Sequence, residues 1–160
     1  MLGPGDGARE ADVAAAREVG ALAAAAGWIV VTGGRAAGVM AAACEGAAAA
    51  GGTCVGILPG SDDAELAPAA TVAIVTGLGE ARDAVVVMSS DALVACGMSA
   101  GTAAEVALAL KARKPVVLLA PDPVAREFFA RLGPTAPLVA AAPEGALDAV
   151  HRALAERAAQ

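Results

Sequence analysis

Short apolar runs alternate with helix-patterned segments along the whole chain, and this alternation constrains the fold more than any other feature. Trp28–Thr32, Thr53–Leu58, Val72–Val75, Ala92–Cys96 and Pro115–Leu119 are largely apolar stretches rich in β-branched residues, with a smaller strand expected at Leu138–Ala140. Helical patterns fall between them at Glu10–Ala26, Gly38–Ala50, Glu80–Ser89, Thr102–Ala112, Val124–Leu132 and Gly145–Ala158. Strands that are continuously apolar, rather than alternating with polar residues, belong to a parallel sheet covered on both faces. The right-handed crossover rule then predicts an α/β fold: a doubly wound, Rossmann-like parallel sheet in a single domain over residues 1–160, with no linker or repeat. The opening Met1-Leu2-Gly3-Pro4-Gly5 reads as the end of a strand followed by a glycine turn. In such a fold the first strand lies mid-sheet, so this strand reads as truncated, or as a stub.

In a parallel sheet every strand ends on the same side, and ligands bind at that edge where the strand order reverses. Four glycine-rich loops are expected there: Gly3-Pro4-Gly5, Gly33-Gly34-Arg35, Thr76 to Gly79 with Arg82 shortly after, and Gly97 to Thr102. Bare backbone N–H groups at helix starts form anion sites, and an Arg adds charge-assisted bonds to phosphate-like oxygens. Each loop could equally be plain turn chemistry. Four of them with two arginines favour a phosphate-bearing small molecule. The expected contacts are Gly3, Gly5, Gly33, Gly34, Arg35, Gly77, Arg82, Gly97, Ser99, Gly101, Thr102 and Glu105. Thr102 and Glu105 also fit a capping box, which leaves Glu105 either a helix cap or a carboxylate at the pocket rim. Asp83 is expected to be a paired or solvated neighbour of Arg82.

Composition narrows the partners. A net charge of −6 and an aromatic content of 2 % oppose nucleic-acid tracking, which needs basic surface and stacking rings. Uncharged runs such as 19–34 fall short of the roughly 18 residues of a membrane span, and no charged-then-apolar leader opens the chain. A cytoplasmic setting is expected. Cys44, Cys54 and Cys96 form no CxxC pair and have no His partners, so they are expected to be buried small hydrophobes rather than metal ligands or a disulfide. The single histidine, His151, lies far along the chain from the loops and is expected at the surface, and no Ser–His–Asp or Cys–His arrangement is discernible.

The segments "TGGRAAGVM", "GGTCVGILPG", "VTGLGEARD" and "GTAAEVALALKARKPVVLL" stand in the order and spacing of the Rossmann-like family that includes the Lonely Guy phosphoribohydrolases. Over about residues 3–155 the chain most resembles one branch of it, the molybdenum cofactor carrier proteins of green algae and related bacterial proteins. The enzymes carry a PGGxGTxxE motif, whose Glu acts with an Arg to cleave the N-glycosidic bond of a nucleotide. This sequence is similar at Gly101, Thr102, Glu105 and Arg82. It departs at Gly97-Met98-Ser99, where Met98 is expected to fill space the enzymes keep bare, and at Asp83, which replaces the usual Lys. The resemblance to the carriers implies a non-enzymatic protein that binds, protects and delivers molybdenum cofactor, a pterin with a dithiolene-held oxo-molybdenum and a terminal phosphate. It also implies a homotetramer, with molybdenum enzymes or an insertase as transient partners, no nucleic acid and no membrane. The alternative is a nucleotide 5′-monophosphate phosphoribohydrolase using Glu105 and Arg82. A molybdenum bond to Cys96 would work against handover.

Overall fold

The computed structural model describes residues 1–133 and 135–159. In chain order its elements are α1 (Glu10–Ala25), β1 (Val30–Thr32), α2 (Gly38–Ala49), β2 (Cys54–Leu58), β3 (Val72–Val75), a 3-10 turn (Gly79–Ala81), α3 (Arg82–Ser89), β4 (Leu93–Cys96), α4 (Ala100–Lys111), β5 (Val116–Leu119), α5 (Pro123–Leu132), β6 (Leu138–Ala140) and α6 (Pro143–Ala158). Every strand pairing is parallel. The strands form two three-membered ladders, β1-β2-β3 and β4-β5-β6. The opening residues join them. Leu2 N–H donates to the Val94 carbonyl (2.8 Å), Cys96 N–H donates to the Leu2 carbonyl (2.9 Å), and the Met1 ammonium donates to the Val31 carbonyl (2.7 Å). The order across the molecule is therefore β3-β2-β1, then Met1–Leu2, then β4-β5-β6. The chain reverses direction of travel across the sheet at that two-residue stub, as a doubly wound Rossmann-like fold requires.

Two apolar layers cover the sheet. Val19 and Ala23 of α1, Val39 and Ala43 of α2, and Val150 of α6 pack on one face; Val86 of α3, Val106 and Leu110 of α4, and Phe129 of α5 pack on the other. The alanine richness has a local purpose. A Cβ on Gly20 would strike the Ala43 carbonyl and one on Gly46 the Arg17 carbonyl, so α1 and α2 lie nearly backbone to backbone.

Several expectations need correction. β1 begins at Val30, not Trp28: the Trp28 N–H closes the end of α1 on the Ala23 carbonyl (3.0 Å), and its ring stacks on His151 at 6.0 Å. β3, expected to be covered on both faces, is an edge strand exposed at all four residues. Cys44 and Cys54 are buried as expected but are joined as a disulfide, their Cα atoms 5.2 Å apart. The Gly51–Gly52 turn brings the inner face of α2 over the start of β2, a proximity that linear spacing conceals. His151 is at the surface, as its position in the chain suggested. No helix among the described residues is long and apolar enough to cross a membrane.

Candidate functional site

The C-terminal ends of β1 and β4 and the stub between them open into a hollow of about 330 Å³. Of the expected residues, Gly3, Gly5, Gly33, Arg35, Arg82, Ser99, Gly101, Thr102 and Glu105 line it together. Gly34 stands behind Gly33, folded with φ +78° against the backbone of Gly56. Gly77 is exposed and lies outside the hollow. Gly97 faces an adjoining hollow of about 250 Å³, lined also by Pro4, Arg9, Asp12, Met98 and Asp122. The 3–5 strip and the 97–101 loop contribute residues to both.

Arg82 defines the first hollow. It opens α3, is only 9 % exposed, and its guanidinium crosses the mouth of β1. A Cβ at Gly33 would collide with Arg82 Nη1 and with Met40 Sδ, so glycine there makes room for the guanidinium. Its partnering is incomplete. Nη1 sits 3.5 Å from Asp83 Oδ1, and Nε is buried with no hydrogen-bond partner among the described residues. Buried polar groups are nearly always satisfied, so an orphaned one beside a hollow points to a missing partner. Arg35 stands on the rim, its Nε 3.3 Å from Glu65 and its Nη2 3.5 Å from Asp6, two carboxylates that are mostly exposed.

The start of α4 differs from the sequence reading. Ser99, not Thr102, is the N-cap: Ser99 Oγ accepts from the Thr102 N–H (3.2 Å) and lies 2.9 Å from Thr102 Oγ1. The helix starts at Ala100, so Glu105 stands beyond the third helical position and does not close a capping box. Freed from that role it lines the hollow, 8 % exposed. Burial, reinforced by the charge of Asp83, pushes its carboxyl up to about 7 against the ordinary 4.5. Burial also raises Asp83, with Arg82 opposing. Met98 departs from expectation too. It packs among the residues of the neighbouring hollow and leaves the space before Arg82 open. The Cys96 thiol, at the end of β4, is buried and pushed up to about 12, so it holds its proton and is a poor ligand for a metal.

Met40, Glu65, Glu80 and Asp83 also line the hollow and were not singled out as contacts from the sequence. Glu80 and Asp83 flank Arg82 in the chain, and that adjacency was the available signal. Glu65 comes from the long polar loop after β2, and only the backbone pairing of Arg35 with Leu66 brings it over. The lining is thus mixed: two guanidiniums and the open end of a helix beside several carboxylates, one of them half-protonated near neutrality.

Comparison with known proteins agrees with this geometry. Residues 1–146 match the model of the SLOG cluster4 family. The molybdenum cofactor binding protein of Rippkaea orientalis superimposes with a TM-score of 0.92 at 44 % identity, covering 94 % of this chain and 93 % of that one. The molybdenum cofactor carrier protein of Chlamydomonas reinhardtii superimposes with a TM-score of 0.91 at 51 % identity, covering 96 % and 95 %. An uncharacterized protein of Archaeoglobus fulgidus is 46 % identical over 55 residues, 34 % of this chain, and the match spans only 36 % of that relative's length. A likeness that runs nearly end to end in sequence and fold, with the strand ends and glycine loops in place, leaves one assignment: the chain belongs to the SLOG cluster4 family.

Proposed function

We propose that the Arg82 hollow binds molybdenum cofactor and that the protein is a carrier, holding, shielding and delivering the cofactor without transforming it. The unpartnered Nε of buried Arg82, set beside the open N-terminus of α4, carries this reading. The cofactor is anionic at its phosphate and at its oxo-molybdenum end. The backbone amides at the start of α4 and the Arg82 and Arg35 guanidiniums supply donors for such oxygens. Its pterin ring presents N–H donors, and the lining carboxylates supply acceptors for them. A uniformly basic pocket would serve the first need and not the second. The volume lies at the lower end of those that hold small ligands, and the adjoining hollow extends the cleft beyond the Gly3–Gly5 strip. Identity of 44–51 % to proteins described as binding or carrying this cofactor supports the same reading.

A carrier needs a shield, and we infer a homotetramer in the cytoplasm that hands its cargo to molybdenum enzymes or an insertase. Two separate apolar faces support the assembly. Val72, Ile74 and Val75 with Leu78 stand exposed along the β3 edge, and Val124, Phe128 and Leu132 form an exposed stripe on α5 at the other side of the sheet. Two self-complementary faces are what a dimer of dimers requires.

A second reading, a nucleotide 5′-monophosphate phosphoribohydrolase, is favoured by one observation: Glu105 sits in the same hollow as Arg82 with a carboxyl at about 7, suited to accept a proton. One experiment separates the two. The purified protein is oxidised and assayed for a fluorescent pterin derivative, and in parallel is incubated with nucleoside monophosphates. The carrier reading expects retained pterin and no free base. Steady release of free base that Glu105→Gln abolishes, with no pterin retained, would overturn it.

A further inference from the structure

The Cys44–Cys54 disulfide takes no direct part in the Arg82 hollow, yet it lies just behind the loop that shapes it. The bridge ties the inner face of α2 to the first residue of β2, and both cysteines are fully buried. In the cytoplasmic setting inferred above, thiols are kept reduced, and a disulfide that forms there is usually a redox device rather than a structural staple.

A short chain of contacts runs from the bridge to the hollow. Thr32, the last residue of β1, is also fully buried, and its Oγ1 lies 3.7 Å from Cys44 Sγ. A sulfur in a disulfide carries no hydrogen, so the Thr32 hydroxyl is the donor. The same oxygen accepts from the Gly34 N–H at 3.0 Å. Gly34 is held from behind as well: its carbonyl accepts from the Ala67 N–H (2.7 Å), and its backbone lies against Gly56. On either side of it stand Gly33, which makes room for the Arg82 guanidinium, and Arg35 of the rim. One hydroxyl therefore joins the sulfurs to the loop.

Reduction changes what that hydroxyl can do. A dithiol supplies two electrons and two protons; the Cys44–Cys54 bond breaks, each sulfur takes a hydrogen, and the dithiol closes to its own disulfide. Two thiols fill more space than the bonded pair, because a covalent bond becomes a van der Waals contact. Both sulfurs lie in the apolar layer that holds buried Val30, Ala43, Ala47 and Ala67, a close-packed setting with little room to spare. The Cys44 thiol also gains a proton to donate, and Thr32 Oγ1 is within its reach. Once that S–H points at Oγ1, the Thr32 proton needs another acceptor, and a buried hydroxyl so placed must turn or shift. Burial of the sulfurs makes the exchange slow, since a reductant reaches them only when the exposed turn at Ala50 and Gly51 opens locally.

We propose that Cys44–Cys54 is a redox brace of the cargo site: the disulfide holds the Gly33–Arg35 loop in the shape that receives the cofactor, and reduction by a dithiol loosens the loop and lowers affinity. The proposal rests on the carrier reading of the hollow, but the coupling of bridge to loop is read without any cargo.

The test uses the full chain, air-oxidised and after treatment with dithiothreitol, with thiols counted under denaturation. One thiol is expected before, from Cys96, and three after. Reduction is expected to speed amide exchange at Gly34 at least tenfold with circular dichroism unchanged, and to weaken binding of molybdenum cofactor by about fivefold or more. Cys44→Ala combined with Cys54→Ala should match the reduced form with or without dithiothreitol, and Cys96→Ala should keep the response. Thr32→Val keeps the bridge and cuts the link, so Gly34 exchange should no longer respond. Equal Gly34 exchange in the two forms would overturn the proposal, as would three thiols in the air-oxidised protein or a general loss of structure on reduction. A Gly34 response without cofactor binding in either form would support the brace and refute the carrier reading.

Discussion

Two hollows share the C-terminal rim of the sheet, and each holds an arginine, an aspartate and a helix start. In the smaller one the charges are spent on one another. Arg9 grips Asp12 through two bonds of 2.8 and 2.7 Å, and Asp122 caps α5 by accepting from the Val124 and Ala125 N–H groups. In the larger one the partners are held back. Arg82 meets Asp83 only at 3.5 Å, its Nε is orphaned among the described residues, and the Ser99 hydroxyl takes just the Thr102 N–H while its carbonyl takes that of Ala103, leaving the Ala100 and Gly101 N–H groups open. The same ingredients thus yield one hollow closed by internal ion pairing and one in which a buried donor, Arg82 Nε, is left unused. A glycine-rich loop does not by itself mark a binding site; what marks it is polar capacity the protein does not use on itself.

Substitution of the two arginines tests this contrast most severely. Arg82→Ala should weaken cofactor binding by about 1.5–3 kcal/mol, roughly 10- to 150-fold in dissociation constant, with the fold retained by circular dichroism. Arg9→Ala should leave affinity within about twofold and the thermal midpoint little changed, because the Arg9 side chain stays largely exposed in its pair with Asp12 and such pairs are screened by solvent.

pH sharpens the contrast next. Glu105 takes up its proton at about 7 in the folded protein and near 4.5 when free. Between those values the folded state holds a proton the unfolded state has lost, so the Glu105 contribution to stability falls as pH rises through this window, by on the order of 3 kcal/mol, and is constant on either side. In denaturant melts Glu105→Gln should flatten that slope. Anion affinity of the parent protein should also fall as pH rises through 7, since the ionised carboxylate then faces the ligand.

A pair of glycine substitutions probes the same division by shape. Gly33→Ala pushes a methyl into Arg82 Nη1 and Met40, and should cost about 1–3 kcal/mol by overpacking, with cofactor affinity lost in parallel in a titration. Gly97→Ala meets Asp12 Oδ2 and forces alanine to φ +75°, which should cost about 1–2 kcal/mol, felt in the thermal midpoint more than in affinity. The smallest effect is expected from Ser99→Ala. Loss of the N-cap should lower stability by about 1 kcal/mol in a denaturant midpoint and leave affinity within about threefold.

The sheet was legible because its strands are apolar on both faces, and a continuous Val/Ile/Leu run has no other economical home in a chain of this length. The exceptions have local causes. Trp28 reads as strand by composition, but its N–H belongs to the turn that ends α1. Val72–Val75 reads as buried, yet nothing in a single sequence tells an edge strand from a central one. The position of Leu2 between β1 and β4 followed from the glycine turn after it and from fold logic, not from any pattern in two residues. At the site, the glycine loops and arginines were readable because their chemistry is local. The distinction between Arg82 and Arg35 was not, since one is buried and the other rim-exposed only after folding. Thr102 and Glu105 matched a capping box that Ser99 pre-empts from three residues upstream, and Cys44 met Cys54 across a helix–strand contact invisible in their spacing.

Arg82, and not the already paired Arg9, is the arginine proposed to meet the cargo. The most direct measurement is titration of the purified protein with molybdenum cofactor, comparing Arg82→Ala and Arg9→Ala with the parent chain. At least a tenfold loss of affinity is expected for Arg82→Ala and none beyond twofold for Arg9→Ala. Equal affinities for Arg82→Ala and the parent chain, or a loss confined to Arg9→Ala, would contradict it.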